Sequence, residues 1–148
     1  MTTPWQRYQA DLRRADFSHD PSQEQAVKLL QNLFERLLAR RRERNGGALR
    51  WLRQLRGQQS EPVTGLYLWG GVGRGKTYLV DTFYDCLPFR QKTRVHFHRF
   101  MRRVHEELKA LEGEKNPLEK VADKLAGEAT VLCFDEFYVS DIADAMIL

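Results

Sequence analysis

The segment GGVGRGKT, residues 70 to 77, directly follows the apolar run LYLW and constrains the fold more than any other feature. Its spacing matches G-x-x-x-x-G-K-[ST], the phosphate-binding loop known as Walker A. Glycine weakens regular structure and adds no packing, so four glycines within six residues indicate a backbone that must approach a ligand closely. In such a loop, backbone N–H groups surround a phosphate and the next helix points its positive end at the anion. The pattern predicts strand 66–69, then the loop, then a helix beginning near Lys76.

The loop supplies the predicted nucleotide-binding residues. These are Gly70, Gly71, Val72, Gly73, Arg74, Gly75, Lys76 and Thr77. Lys76 is expected to reach the β- and γ-phosphates of ATP, and the Thr77 hydroxyl to hold Mg²⁺. The alternative is a glycine-rich turn that binds nothing. The full pattern, with a strand before it and a helix after it, favours phosphate binding.

A second motif, VLCFDEF at residues 131 to 137, has the form of a Walker B strand. Its apolar residues predict a buried parallel strand, 130–135, that ends in two carboxylates. Ligands of open α/β sheets bind at that edge, so both motifs are expected to meet in one crevice. Asp135 would hold the same Mg²⁺ through water, and Glu136 would orient or deprotonate the attacking water, with Lys76 as the other catalytic residue. Taken alone, the motif could be an ordinary strand end with two solvated acids.

Composition is that of a globular protein with one unusual segment. The chain has 148 residues, 42% of them hydrophobic and 30% charged, and no apolar run approaches the roughly 18 residues that span a membrane. The start has no apolar signal-peptide core, and two cysteines, Cys86 and Cys133, indicate reduced thiols rather than a disulfide framework. The net charge of +4 is concentrated in residues 40 to 56, whose seven arginines and one glutamate sum to +6, so the remainder carries −2.

This arginine-rich segment has several interpretations. Residues 48–56 predict a short amphipathic helix with its apolar residues on one side, namely Ala48, Trp51, Leu52 and Leu55. The arginines could contact nucleic-acid phosphates, an anionic membrane or an acidic protein surface. They could also form a solvated loop that packs its few apolar residues on the rest of the chain. The apolar side suits a membrane interface or a protein groove better than DNA.

The remaining pattern alternates strands and helices. Helices are predicted over residues 22–42, from Lys76 to about Cys86, and around residues 100–111. Another helix is predicted to begin at Pro117 with Asn116 as its cap, and a last one after Ser140. A further strand is predicted over TRVHFHRF, residues 93–100. This predicts an α/β fold, specifically a P-loop NTPase of AAA+ type with a three-layer parallel sheet, truncated after the Walker B strand and preceded by a helical segment. The predicted domains are residues 1–60, helical and arginine-rich, and residues 61–148, an ATPase domain incomplete at its C-terminus.

The sequence also predicts the placement of three histidines and one tryptophan. His96 and His98 lie two apart on the predicted strand and would point to one face, where packed or hydrogen-bonded histidines are favoured over a metal site, because a metal needs three or four ligands. His105 is predicted to be solvated. Trp69 is predicted to be a core residue rather than a stacking platform.

Three stretches together resemble one family: LYLWGGVGRGKT, VHFHRFMRRVHEEL and VLCFDEFYVSDIADAMIL. They are similar to the ZapE family of bacterial cell-division ATPases, relatives of the AAA+ class with mitochondrial homologues. The resemblance is close over residues 65–148 and weaker before them. It implies a cytoplasmic, Mg²⁺-dependent ATPase that is recruited to the division site and destabilises polymers of the tubulin-like protein FtsZ in the presence of ATP. The resemblance also implies that the loop residues bind the nucleotide, that Asp135 lies on the metal side and that Glu136 is catalytic. It further implies that the upstream segment DPSQ, with Gln23, lies near the adenine.

The sequence departs from this family at its C-terminus. Family members continue through a further strand with a sensor residue and an arginine finger that acts in trans, so self-association remains open. AAA+ sheets order their strands 5-1-4-3-2, and the fourth strand is missing here. We therefore expect a fragment with weak ATPase activity at best. The alternative function is a nucleic-acid-associated AAA+ ATPase of the helicase-loader type, which would use the same residues for ATP.

Overall fold

The computed structural model describes residues 1–57, 61–70 and 75–148, without the side chains of residues 49 and 50. The described helices and strands are, in chain order, α1 (Pro4–Asp11), α2 (Pro21–Asn45), α3 (Gly47–Leu55), α4 (Lys76–Cys86), β1 (Lys92–His96), α5 (Phe97–Ala110), α6 (Pro117–Glu128), β2 (Val131–Asp135) and α7 (Ile142–Ile147). They form two compact units, residues 1–88 and 89–148, each described by itself. Within the described ranges, no helix is both long and apolar enough to cross a bilayer.

Helix α1 has a capping signal that sequence reasoning missed. The Thr3 hydroxyl accepts from the Gln6 N–H at 3.2 Å, and the Gln6 side chain accepts from the Thr3 N–H at 3.0 Å. Pro4 occupies the first helical position, where no N–H is needed. Together these form a capping box, which the sequence T-P-W-Q encodes. The eight-residue helix is too short for a clear apolar period, so the cap was the only local signal.

Helix α2 confirms the helix predicted over residues 22–42 and extends it at both ends. Asp20 caps it by accepting from the Ser22 N–H at 2.8 Å. The helix buries one apolar stripe, Val27, Leu30, Leu33, Phe34 and Leu37. At its end, Gly46 has extended backbone, with φ −79° and ψ 94°. Gly46 is also the N-cap of α3, and an N-cap residue takes extended backbone.

Unit 1 is built around α2, against which α1, α3 and α4 pack. Helix α4, which follows the phosphate loop, also packs against α1. The Tyr78 hydroxyl donates to Asp11 Oδ2 at 2.7 Å, and the Tyr78 ring lies 5.1 Å from the ring of Phe17. The helix that carries Lys76 is therefore fixed to the N-terminal residues by a hydrogen bond and an aromatic contact.

The strand predicted over residues 66–69 is wrong, because residues 61–70 form neither helix nor strand. A strand requires hydrogen bonds to a neighbouring strand, and among the described residues only β1 and β2 pair, with each other. Arginines of α2 hold the segment instead. Arg36 Nη1 donates to the Thr64 carbonyl at 3.1 Å, and Arg40 donates to the Glu61 carbonyl. Trp69, predicted to be a core residue, is 84% exposed, because the sheet that would cover it does not form around it.

Unit 2 contains the parallel sheet. β1 pairs with β2, and His96 is in register with Asp135. In the AAA+ strand order 5-1-4-3-2, the second and third strands are neighbours. β1 and β2 would correspond to these two strands, so their pairing agrees with that order. The predicted strand 93–100 is too long, since β1 ends at His96 and α5 begins at Phe97. α5 buries Phe97, Met101 and Val104, whereas the apolar residues Phe100, Leu108 and Leu111 are only half-buried.

Two helix starts in unit 2 refine the prediction. α6 begins at Pro117, as expected, but Asn116 has left-handed backbone, with φ 50°, and its side chain makes no capping bond. α7 begins at Ile142 and is capped by Asp141, which accepts from the Ala143 N–H at 2.9 Å. The expected cap at Ser140 was therefore one residue too early. Both differences concern helix ends, whose position is defined only to within one or two residues.

The Tyr78–Asp11 bond predicts a pH-dependent stability. Burial, followed by the hydrogen bond to Asp11, raises the pKa of Tyr78 from 10.0 to about 12. A raised pKa means that the folded state favours the neutral phenol, so this contribution is present below pH 10 and is lost as the pH rises from about 10 to 12. We expect Tyr78→Phe to lower the free energy of unfolding at neutral pH by about 1 kcal/mol and to flatten its decline in this alkaline range.

The measurement is chemical denaturation at several pH values. Tyr138→Phe is the control, because Tyr138 is exposed. An alkaline decline in Tyr78→Phe as steep as in the unmodified chain would show that Tyr78 does not carry this dependence.

Candidate functional site

The ends of the phosphate loop are well placed for its predicted role. Gly70 and Gly75 both have positive φ, 148° and 71°, a region that side chains with a Cβ rarely adopt. Gly75 is the N-cap of α4, so the helix begins at Lys76, as predicted. Of the predicted binding residues, those between the two ends lie outside the described residues: Gly71, Val72, Gly73 and Arg74.

The side chain of Lys76 reaches back to Gly70. Its ammonium donates a hydrogen bond to the carbonyl oxygen of Gly70 at 2.8 Å, which brings the two ends of the loop together. The N-terminus of α4 adds the partial positive charge of its free N–H groups at the same place. Thr77 follows in the first turn and is exposed. The region therefore concentrates positive charge and hydrogen-bond donors.

A cavity of about 500 Å³ opens beside Lys76. Its lining combines the end of the loop with the start of α2: Asp20, Ser22, Gln23, Ala26, Tyr67, Leu68, Trp69, Gly70, Lys76 and Leu79. The volume is within the range of small-molecule sites, which are mainly apolar with a few polar groups. Charge at Lys76, together with aromatic and aliphatic surface elsewhere in the lining, fits a ligand with an anionic part and a flat apolar part.

Gln23 contacts the loop directly. A Cβ added at Gly75 would lie 2.5 Å from Gln23 Nε2, which is closer than real Cβ contacts allow. The positive φ favours glycine at position 75, whereas the close approach involves only the end of the flexible Gln23 side chain, which could shift. The structure places the upstream DPSQ segment beside the phosphate loop. Contact between Gln23 and adenine stays a prediction.

The two predicted acidic residues lie in unit 2, at the end of β2. Asp135 is held by Arg94 of β1, whose Nε and Nη2 donate to the two carboxylate oxygens at 3.0 and 3.2 Å. Both side chains are largely buried, which strengthens such a bidentate pair. Sequence reasoning missed Arg94. One sequence signal could have revealed this pair. Arg94 is a cation in the strand that precedes the Asp135 strand along the chain, and consecutive parallel strands are often neighbours in a sheet.

The Arg94 bonds leave room for a metal-bound water at Asp135. An ionised carboxylate has about four lone-pair sites, and the guanidinium uses two of them. Mg²⁺ usually retains several waters and is held by few protein ligands. The residues present therefore fit the predicted water-mediated role of Asp135, with Arg94 fixing the carboxylate in place.

Cys133 lies in the same strand and is buried. Burial raises the pKa of its thiol, and nearby Asp135 raises it further, against the opposing charge of Arg94. A thiol with a raised pKa is mainly protonated at neutral pH and reacts poorly as a nucleophile. Cys133 therefore serves the packing of the strand.

Glu136 has unusual backbone for its residue type. Its φ is 51°, in the left-handed region, where a residue other than glycine or asparagine is strained. The side chain is exposed immediately after the strand end. Such strained residues concentrate at functional sites, where the backbone aims a side chain in a required direction. This feature is independent of the motif that pointed to Glu136.

The histidines differ from their predicted placement. His98 lies in the first turn of α5 rather than on the strand with His96, although their rings stack with centroids 5.8 Å apart. His105 is not simply solvated, because its Nε2 lies 2.6 Å from Asp144 Oδ1. This contact joins α5 to α7, two elements whose packing the sequence pattern did not reveal.

Comparison with known proteins agrees with these motifs. Residues 2–148 match the family model described as AFG1-like ATPase. The chain belongs to the AFG1-like ATPase family. This AFG1-like chain is 47% identical over 152 residues to the cell division protein ZapE of Escherichia coli K12, a match that covers 99% of the chain and 40% of ZapE. The resemblance noted in the sequence is confirmed.

A second relative is the lactation elevated protein 1 homolog B of Danio rerio, 45% identical over 98 residues. That match covers 59% of the AFG1-like chain and 20% of the relative. The chain thus spans 40% or less of the length of these two proteins. No solved structure matches it.

The strain at Glu136 predicts a gain in stability on substitution. Asparagine tolerates left-handed backbone better than glutamate does, so Glu136→Asn should raise the free energy of unfolding by up to about 1 kcal/mol. Glu136→Gln is the matched control, because it also removes the charge but has no preference for this backbone. Chemical denaturation of both variants is the measurement. Equal stabilities for the two would contradict a strained Glu136.

Proposed function

We propose that this chain binds ATP with Mg²⁺ and carries the hydrolytic residues of a cell-division ATPase. The observation that supports this best is the cavity of unit 1, where the Lys76 ammonium, the start of α4 and the left-handed Gly75 lie beside aromatic and aliphatic surface. The triphosphate would lie along the loop, and the base in the more apolar part of the cavity. Membership of an ATPase family supports the same assignment.

The proposed roles in unit 1 follow from position. Lys76 neutralises phosphate charge, and the N–H groups at the start of α4 bind phosphate oxygens. The Thr77 hydroxyl holds Mg²⁺, which compensates charge on the phosphates. Gln23, which contacts Gly75, fixes the loop against α2 and lines the part of the cavity proposed for adenine.

The proposed roles in unit 2 use the strained end of β2. Asp135, oriented by Arg94, binds a water of the Mg²⁺ shell. Glu136 accepts the proton of the water that attacks the γ-phosphate. The left-handed backbone of Glu136 interrupts the strand directly after Asp135, and the two consecutive acids are proposed to serve different partners. We further propose that β1 and β2 are neighbouring strands of a three-layer P-loop sheet in the whole protein.

The biological role is proposed from the relative whose name states it. The E. coli relative is named a cell division protein. We propose that the whole protein works at the division site in the cytoplasm, with FtsZ polymers as its partner, as the family resemblance implies. The test is sedimentation of FtsZ polymers with the whole protein and ATP. Polymer mass that does not depend on ATP would contradict this partner.

Loss of Lys76 should abolish nucleotide binding. Lys76→Ala removes the cation placed at the loop, so ATP affinity of the chain should fall below detection in calorimetry with Mg²⁺. Lys115→Ala removes an exposed lysine in unit 2 and should leave the affinity unchanged. Unchanged affinity in Lys76→Ala would refute the phosphate-loop assignment.

The two acidic residues should separate binding from chemistry. Glu136→Gln retains the shape but removes the base, so ATP should bind normally while hydrolysis falls roughly 10²–10⁴-fold. Asp135→Asn should instead raise the Mg²⁺ concentration needed for half-maximal hydrolysis. Single-turnover assays resolve these changes even if the chain is slow. Glu112→Gln, an exposed acid elsewhere in unit 2, is the control, and normal turnover in Glu136→Gln would exclude Glu136 as the base.

A further inference from the structure

Helix α3 presents an apolar face to solvent. Trp51, Leu52 and Leu55 are 63%, 47% and 65% exposed. On a helical projection they fall within one arc of about 100°, together with Ala48. Isolated apolar side chains on a surface are ordinary, whereas a tryptophan and two leucines grouped on one face of a short helix form an apolar surface of the kind found at interaction sites.

The opposite side of α3 faces its own protein. Arg53 lies opposite the apolar arc, and its Nη1 donates to Glu43 of α2 at 2.9 Å. This ion pair joins α3 to the last turns of α2 by a polar contact. The apolar face is consequently directed away from α2. The predicted amphipathic helix is therefore confirmed, and Leu52 and Leu55 face solvent instead of packing on the rest of the chain.

The arginines around α3 divide into two groups. One group acts within the chain: Arg40 and Arg41 donate to the carbonyls of Glu61 and Pro88, and Arg53 pairs with Glu43. A second group, Arg42, Arg44 and Arg56, is exposed and makes no ion pair or side-chain hydrogen bond with the described residues. These three flank α3 at both of its ends. The helix that carries the apolar face is thus preceded and followed in the chain by cations that no acid of the described residues neutralises.

We propose that α3 docks the protein on an anionic phospholipid surface. Trp51 and the leucines would enter the boundary between headgroups and acyl chains, while the flanking arginines bind lipid phosphates. Tryptophan suits this boundary because its ring is apolar and its N–H is polar. A nucleic-acid duplex offers phosphates but no apolar layer for Leu52 and Leu55. A helix of nine residues gives weak, reversible binding, which fits a peripheral contact rather than a permanent anchor.

The test is co-sedimentation of the 148-residue chain with vesicles. Binding is expected to vesicles of phosphatidylglycerol and phosphatidylcholine, and to be much weaker with phosphatidylcholine alone. Arg42→Gln/Arg44→Gln/Arg56→Gln should weaken binding roughly 10- to 100-fold, because each basic residue near an anionic surface adds to the attraction. The matched control is Arg13→Gln/Arg99→Gln/Arg102→Gln. It removes the same number of positive charges, but from exposed arginines that do not flank α3.

The apolar contribution has its own matched pair. Trp51→Ser/Leu55→Ser should weaken binding roughly tenfold or more, whereas Tyr138→Ser/Leu118→Ser, an exposed tyrosine and leucine outside α3, should not. Circular dichroism checks that each variant is folded.

Three results would overturn the proposal. One is an absence of binding to anionic vesicles by the unmodified chain. Another is an equal loss in the control variants. The third is tight duplex DNA binding with a steep salt dependence that survives Trp51→Ser/Leu55→Ser, which would favour nucleic acid as the partner.

Discussion

The buried stripe of α2 is the constraint on which unit 1 depends. α2 buries Val27, Leu30 and Phe34, and α1 and α4 pack against this helix. The beginning of α2 carries Gln23 to Gly75, and its later turns supply the arginines that hold residues 61–64. One long amphipathic helix therefore positions both the start of the helix that carries Lys76 and the segment that leads into the loop. The free energy gained by burying this apolar stripe helps to offset the cost of the less favourable backbone conformations at the site.

Some of this architecture follows from local sequence. The 3.6-residue apolar period of α2 and the proline-led start of α6 reflect interactions within one element. The helix start at Lys76 follows from the spacing of glycine and lysine. The parallel pairing of β1 and β2 follows from chain direction and the intervening helices. In each case the deciding contacts are near in sequence or imposed by connectivity.

Other features depend on partners distant in sequence. Residues 66–69 have strand composition, yet extended backbone persists only where another strand accepts and donates its hydrogen bonds. Trp69 is exposed for the same reason. The Arg94–Asp135 pair joins residues 41 positions apart, and no single-strand pattern specifies it. At the candidate site, motif spacing identified Lys76, Asp135 and Glu136, whereas Gln23 and Arg94 acquire their significance from packing.

The bond between Lys76 and the Gly70 carbonyl has a thermodynamic consequence. The ammonium of Lys76 carries three N–H donors, and the Gly70 carbonyl accepts from one of them. A phosphate oxygen could therefore accept from another donor without breaking this bond. The bond keeps a flexible, strongly hydrated side chain at the end of the loop, which reduces the conformational entropy that the side chain would lose on binding an anion. The Gly70 carbonyl thus preorganises the cation.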